Sequence, residues 1–212
     1  MILVTGASGF VGRHLVTYLI SSGHEVVSLV RDDVKFKKEA RVASEADGHH
    51  IVIGDLNDNP EIPFNIDTVI HLAGQIVLAG VKDEDFLLKN RNITEGLVNL
   101  LQHLTVKQVI NLSTTSIYGN VLNGIATEDL VPHEPSAYAM SKLASEQALS
   151  QVNKDFSLTN IRTPGIIGPG ANPNLVTKLA AQASTGSPIA VSNLGANFNN
   201  VVFNHFPLRC SS

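Results

Sequence analysis

The sequence predicts an α/β domain built on a doubly wound parallel sheet. Short β-branched runs alternate with longer segments of helical period along its 212 residues, and the short runs are almost continuously apolar. Such alternation places helices on both faces of a sheet, and strands covered on both faces lose the polar half of the usual strand pattern. Between the first run and the first helical segment stand Gly6, Gly9 and Gly12, which leave the backbone of that turn bare.

Taken in order, "MILVTG" supplies the first strand, and "GFVGRHLVTYLISSG" repeats its apolar residues at helical spacing before Gly23 closes it as a C-cap. "EVVSLV", "HIVIG" and "DTVIHLAG" read as the next three strands. "EDFLLKNRNITEGLVNLLQHL" predicts a long helix ahead of a fifth strand, "QVINLS". In "SAYAMSKLASEQAL", Ser136 follows Pro135 as the N-cap of another helix, and "SLTNIR" is the sixth strand. Beyond Arg162 the rhythm breaks at "TPGIIGPGANPN", with three prolines and three glycines. One further helix, "NLVTKLAAQAS", and two apolar runs, "PIAV" and "NVVF", follow.

Composition removes several classes. A hydrophobic content of 43% is too high for a disordered chain. A formal charge of -4, with no basic run longer than Lys37-Lys38, offers no electrostatic footprint for nucleic acid. Cys210 is the single cysteine, so neither an internal disulfide nor a cysteine zinc cluster is expected, which suits a reducing, cytoplasmic compartment. Met1 leads directly into "ILVTG" without a basic leader, and no apolar stretch approaches the roughly 18 residues that cross a bilayer, so neither export nor a membrane is expected.

The glycine turn stands where a strand feeds a helix N-terminus, a place where amides and helix dipole together attract a pyrophosphate. The spacing is G-x-x-G-x-x-G. At the end of the second strand, "SLVRDD" offers Arg31 first, then Asp32 and Asp33, with Lys35, Lys37 and Lys38 nearby. A cation there suits a ribose 2'-phosphate and an acid the free 2'-hydroxyl, so the expectation is NADP over NAD, against the plainer reading of a solvated charged loop. Asp55 in "GDLND" and the small-residue turn in "HLAGQ" fall at the exits of the third and fourth strands. His71, inside a buried strand, reads as a hydrogen-bonded core residue.

Tyr138 and Lys142 are four apart, so a helix puts them on one face. The fifth strand would bring Ser113, Thr114, Thr115 and Ser116 to the same carboxyl edge. A free phenol has a pKa near 10, so phenolate at pH 7 costs about 4 kcal/mol. A nearby Lys142 ammonium is expected to lower that cost, letting Tyr138 exchange a proton with a substrate hydroxyl whose carbon exchanges hydride with the cofactor.

These segments together resemble the extended short-chain dehydrogenase/reductases, the NAD-dependent epimerase/dehydratase family. "TGASGFVG", with Phe10 and Val11, is similar to its T-G-x-x-G-F-I/V-G turn, "GDL" to its adenine-contacting Asp with Leu56 beside it, and "HLAG", with Leu72, Ala73 and Gly74, to its H-x-A-G/A turn. "KNRNITEGLVNLL" resembles the N-x-x-x-T helix with Asn90 as its Asn, "YAMSK" the Y-x-x-x-K, and "STTSIYG" the S-S/T-x-x-V-Y-G segment, which puts Thr114 with the catalytic Tyr138 and Lys142. "NIRTPGIIGPG" resembles R-x-x-x-V-Y-G-P, so Pro164 to Ile166 would line a nicotinamide pocket, and Asn174 falls where the family contacts a nucleoside diphosphate.

The resemblance implies a Rossmann-type domain over 1–162, with 163–212 a partial substrate-binding region interleaved with the last part of that core. It implies NADP or NAD as cofactor, a nucleotide-linked sugar as substrate, and a homodimer through the helices at 84–104 and 136–152. Thr115 and Ser116 stand where the family's dehydratases carry an Asp-Glu pair, which leaves an epimerase or a keto-sugar or ketone reductase. Members of about 300 residues continue into a C-terminal lobe, so a truncated lobe is expected here, and a non-catalytic dinucleotide-sensing module is the remaining alternative.

Overall fold

A computed structural model describes residues 1–39, 47–75, 82–119, 127–132, 135–152, 155–171, 175–188 and 201–203. Their elements run β1 (Ile2–Thr5), α1 (Phe10–Ser21), β2 (Val26–Val30), α2 (Asp33–Glu39), β3 (His49–Ile53), β4 (Thr68–His71), α3 (Asp83–His103), β5 (Gln108–Thr114), α4 (Ala137–Ser150), β6 (Ser157–Thr163), β7 (Gly165–Ile167), α5 (Leu175–Ser184) and β8 (Val201–Phe203). Short 3-10 turns occupy Leu56–Asp58 and Thr115–Tyr118. Among the described residues no helix is long and apolar enough to cross a membrane.

β1 to β6 form one sheet in the order β3-β2-β1-β4-β5-β6, every neighbouring pair parallel. The chain begins at the centre, winds outward to β3, then returns to β4 beside β1 and winds the other way. At that reversal the crossovers part, and a crevice opens at the carboxyl ends of β1 and β4. β7 and β8 pair in parallel as a separate two-stranded sheet. The chain divides into two compact units, Met1–Thr163 and Pro164–Ser212, and the six-stranded sheet lies wholly in the first.

Side-chain alternation along β1 shows why both faces are covered. Leu3 joins a core with Val69, Val109, Leu97, Leu101 and Leu149, on the side of α3 and α4. Val4, the next residue, joins Val16, Val26, Phe36 and Ile70 on the side of α1 and α2. All five residues of β2 are buried, whereas β6, at the sheet edge, alternates between exposed and half-buried positions before its last two residues.

The helix ends follow local chemistry. Gly23, at φ +83, donates to the Ile20 carbonyl while His24 donates to Leu19, a Schellman closure for α1 just past its C-cap Ser22. Ser136 accepts from the Ala139 amide, as expected of the N-cap of α4. The charged stretch after β2 is not a solvated loop. Asp32 accepts from the Lys35 amide at 2.9 Å and Asp33 pairs with Lys37 across one turn at 3.0 Å, so α2 starts there.

α3 comes down on the turn after β3 at Gly96, where an added Cβ would lie 2.6 Å from the Leu56 carbonyl carbon. Backbone cannot yield as a flexible side chain can. Gly96→Ala is therefore expected to destabilise the domain by about 1–3 kcal/mol, the range for overpacking, read as a lower urea midpoint; an unchanged midpoint would show that α3 moves freely over this turn.

Candidate active site

β1 ends in a turn whose glycines each face backbone. Gly6 has φ +72, and a Cβ built on it would lie 2.6 Å from the Ala73 nitrogen and 2.7 Å from the Leu72 carbonyl carbon. Gly9 donates to the Gly6 carbonyl at 2.9 Å and stands at the N-cap of α1, with no side chain capping the helix. A Cβ on Gly12 would lie 2.7 Å from the Ala7 Cα. This bare helix start is the kind of place that takes an anion.

In front of it lies a cavity of about 730 Å³, lined from four strand ends: Thr5, Gly6, Ser8 and Gly9 after β1, Arg31, Asp32 and Lys35 after β2, Asp55, Leu56 and Asn57 after β3, and Leu72 to Gln75 after β4. Its volume falls within the roughly 300–1,000 Å³ of small-molecule and cofactor sites. Of the residues expected to hold a cofactor, Gly6, Gly9, Arg31, Asp55, Leu56, Leu72, Ala73 and Gly74 line it. Phe10, Val11, Gly12, Asn90, Tyr138 and Lys142, also expected to bind it, are not among the lining residues. Phe10 instead meets His14 edge-on with ring centroids 5.3 Å apart. Asn90 braces the turn from behind: its Oδ1 accepts from the Gln75 amide at 2.9 Å and its Nδ2 donates to the Gln75 carbonyl at 3.2 Å.

Sequence reasoning passed over Lys89, Asn92 and Ile93, which close the cavity from α3. They flank Asn90 at one- to three-residue spacing, so the helical period around that Asn was the signal available.

The charged residues lining the cavity are Arg31, Lys35 and Lys89 with two carboxylates, Asp32 and Asp55. Both carboxylates already accept a backbone N–H, Asp32 from Lys35 and Asp55 from Asn57 at 3.0 Å. Arg31 Nη1 lies 3.8 Å from Asp55 Oδ2, and its side chain is 79% exposed.

Thr114, Tyr138 and Lys142 come together at the end of β5. Thr114 is buried and its hydroxyl accepts from the Ser116 amide at 3.2 Å, which starts the 3-10 turn. Tyr138 is half-buried, with its phenol beside Thr114, whose own hydroxyl donates to Ser116 Oγ at 3.2 Å. The Lys142 ammonium donates to the Leu112 carbonyl at 2.9 Å. It reaches the cavity wall at Gly74, where a Cβ would lie 3.5 Å from both Lys142 Nζ and Asn90 Oδ1. Of the four hydroxyls in 113–116, it is Thr114 that meets the phenol.

The electrostatics differ from the expectation that Lys142 lowers the phenol. Burial is the leading influence and pushes Tyr138 up, and the hydrogen bond with Thr114 pulls it partly back. Lys142 is itself lowered by burial from 10.5 to about 8, against the Glu146 carboxylate, which raises it. His71 behaves as a core residue. It is 1% exposed, shares a 2.7 Å hydrogen bond with the Thr5 hydroxyl, and is lowered to about 3 by burial and by Lys142, so it stays neutral.

Pro164 to Ile166 belong to the second compact unit, and Asn174 lies outside the described residues.

Known proteins resemble the chain over most of its length. The chain is 32% identical over 189 residues to GDP-6-deoxy-D-mannose reductase of Pseudomonas aeruginosa, covering 85% of this chain and 57% of that one. It is 33% identical over 196 residues to UDP-glucuronate 4-epimerase 6 of Arabidopsis thaliana, covering 82% and 41%. A crystal structure of UDP-glucuronic acid 4-epimerase from Bacillus cereus in complex with NAD superposes with a TM-score of 0.76 at 27% identity, over 88% of this chain and 64% of that one. The chain thus spans about half the length of these two curated relatives. Residues 2–198 match a single family description, and that span takes in the glycine turn, the cavity and the Thr114–Tyr138–Lys142 cluster. The chain therefore belongs to the NAD dependent epimerase/dehydratase family.

Proposed function

We propose that the chain binds a nicotinamide dinucleotide in the cavity at the sheet's carboxyl edge and epimerises a nucleotide-linked sugar through reversible oxidation of one hydroxyl carbon. The observation that carries this reading is the phenol of Tyr138 beside Thr114, with the Lys142 ammonium at the Gly74 wall of the cavity. Gly6, Gly9 and the first turn of α1 would hold the pyrophosphate, with Phe10, Val11 and Gly12 shaping that turn. Asp55 and Leu56 would flank the adenine, and Asn90 would fix the Gly74–Gln75 turn. Once bound, the nicotinamide ring supplies a hydride acceptor and donor.

The protein's own part is proton transfer. Held above its usual pKa, Tyr138 keeps its proton at neutral pH and suits donation to a carbonyl oxygen. In the opposite direction it takes the proton of a hydroxyl, and an ammonium one turn away stabilises the resulting phenolate. Thr114 holds the reacting oxygen in line. Thr115 and Ser116, in place of an acid pair, support an epimerase over a dehydratase. Exposed Leu87 and Leu88 on α3 and Met140 on α4 support homodimerisation through these helices.

The Pseudomonas aeruginosa relative favours a second reading, an NADP-dependent keto-sugar reductase. Incubation with a nucleotide-linked sugar and no added cofactor separates the two: epimer formation without net change in nicotinamide absorbance rules out a simple reductase. Tyr138→Phe is expected to lower turnover by roughly 10²–10⁴, the range for a positioned acid-base group, with cofactor affinity retained. Undiminished turnover in that variant would remove Tyr138 from the acid-base role, whereas a parent that binds cofactor and turns over no substrate would leave a dinucleotide-sensing role.

Arg31, the first residue after β2 and one of those that line the cavity, supports NADP. Arg31→Ala is expected to weaken NADP about tenfold, the effect of losing roughly 1.4 kcal/mol, and to leave NAD nearly unchanged. Equal loss of both nucleotides, by titration calorimetry, would remove Arg31 as the discriminating residue.

Lys142 should also cost stability. Between about 8 and 10.5 the unfolded chain holds the lysine proton and the folded chain does not, so this group's contribution to stability rises with pH across that window and its penalty is full below it. Lys142→Met is expected to unfold at higher urea than the parent at neutral pH, with the margin shrinking as pH rises through the window. A less stable variant at neutral pH would show that the ammonium's bond to Leu112 outweighs its desolvation.

A further inference from the structure

α4 carries a third polar residue in register with Tyr138 and Lys142: Glu146, one further turn along the helix. Its side chain is 7% exposed and is gripped by two arms of Arg162, from β6, with Nε donating to Oε1 at 3.0 Å and Nη2 to Oε2 at 2.7 Å. The third arm, Nη1, donates to the Tyr118 hydroxyl and to the Glu128 carbonyl, each at 3.2 Å. The guanidinium also lies over the Tyr118 ring, 5.1 Å from its centroid. Tyr118 is the last residue of the 3-10 turn capped by Thr114.

A buried carboxylate paired with a partly buried guanidinium adds little stability over apolar side chains of equal volume. What the pair supplies is geometry, because the planar fork fixes three partners at once in a way a lysine cannot. One partner lies on the helix of Tyr138 and Lys142, and another ends the turn of Thr114.

We propose that Glu146 and Arg162 are positioning residues for the reaction centre: the fork of Arg162 locks the turn that carries Thr114 against the helix that carries Tyr138 and Lys142, and holds the Glu146 carboxylate one turn from the Lys142 ammonium. The inference rests on the functional reading above. Among the described residues, the titratable groups that interact electrostatically with Lys142 are Glu146 on its own helix and His71 on β4, whose charged form Lys142 disfavours, and Tyr138 precedes it by one turn. Arg162 on β6 acts on it through Glu146.

The test uses the full chain with Arg162→Lys, Glu146→Gln and the double variant Arg162→Met/Glu146→Leu. The double variant removes both charges together, since Arg162→Met alone strands a buried carboxylate. Cofactor affinity should hold in all three. Turnover in the double variant should fall roughly 10²-fold, the effect of a misplacement on the order of 1 Å, with the loss in kcat and not in KM, and Arg162→Lys should recover part of it. Glu146→Gln should move the titration of Lys142, followed by NMR of isotope-labelled lysine in the ligand-free chain, to lower pH. A folded double variant with parental kcat, or a Lys142 titration unmoved by Glu146→Gln, overturns the proposal. If the double variant does not fold, Arg162→Lys carries the kcat arm, and a parental kcat there overturns it equally. If the parent turns over no nucleotide-linked sugar, the functional reading fails by itself, and the lysine titration alone decides the positioning role.

Discussion

The close approach of two backbone turns at Gly6 governs the rest of the architecture. With φ at +72 and Ala73 within 2.6 Å of where a Cβ would stand, only a residue without a side chain lets the end of β1 settle against the end of β4. That contact lies at the point where the sheet's winding reverses, so the crevice opens there and α1 directs its uncapped N-terminus across it. The cavity between the strand ends is therefore a consequence of topology, and one glycine makes that topology sterically admissible.

The same burial that encloses the site alters its chemistry. In water a lysine keeps its proton to slightly higher pH than a tyrosine does. Here burial moves the two in opposite directions, with Tyr138 raised and Lys142 lowered to about 8, so the lysine is the first of the two to give up its proton. The cluster favours a neutral phenol, suited to donating a proton and dependent on positive charge to release it. Polarity continues along β5, where the buried Asn111 Oδ1 and Ser113 Oγ have no hydrogen-bond partner among the described residues.

Much of this was legible from residue order. The six sheet strands, the helices at α1, α3 and α4, the Ser136 cap and the three glycines follow from periodicity and turn chemistry that act over a few residues. α2 was not legible, because its helix depends on Asp32 turning to accept from Lys35 and Asp33 pairing with Lys37, and a run of charges reads equally well as a loop. Lys89 and Asn92 were missed for a related reason: exposed positions on α3 gain meaning only once the helix faces the cavity. The net rise of Tyr138 was not legible because four-residue spacing says nothing of how deeply the phenol is buried.

By itself, the sequence determined which segments become strands and helices, which faces are buried, and which hydroxyl, phenol, ammonium and glycine positions reach the carboxyl ends of the strands. These are local properties, set by periods of two and 3.6 residues and by the conformational range of single side chains. Only the tertiary structure decided that Thr114, out of four hydroxyls, meets Tyr138, that Lys142 comes to the wall at Gly74, and that Arg162 joins Glu146 to Tyr118. Those contacts join residues up to 68 positions apart, Gly74 and Lys142. They depend on how strands order and twist around β1 and on how much water burial removes, which no repeat along the chain encodes.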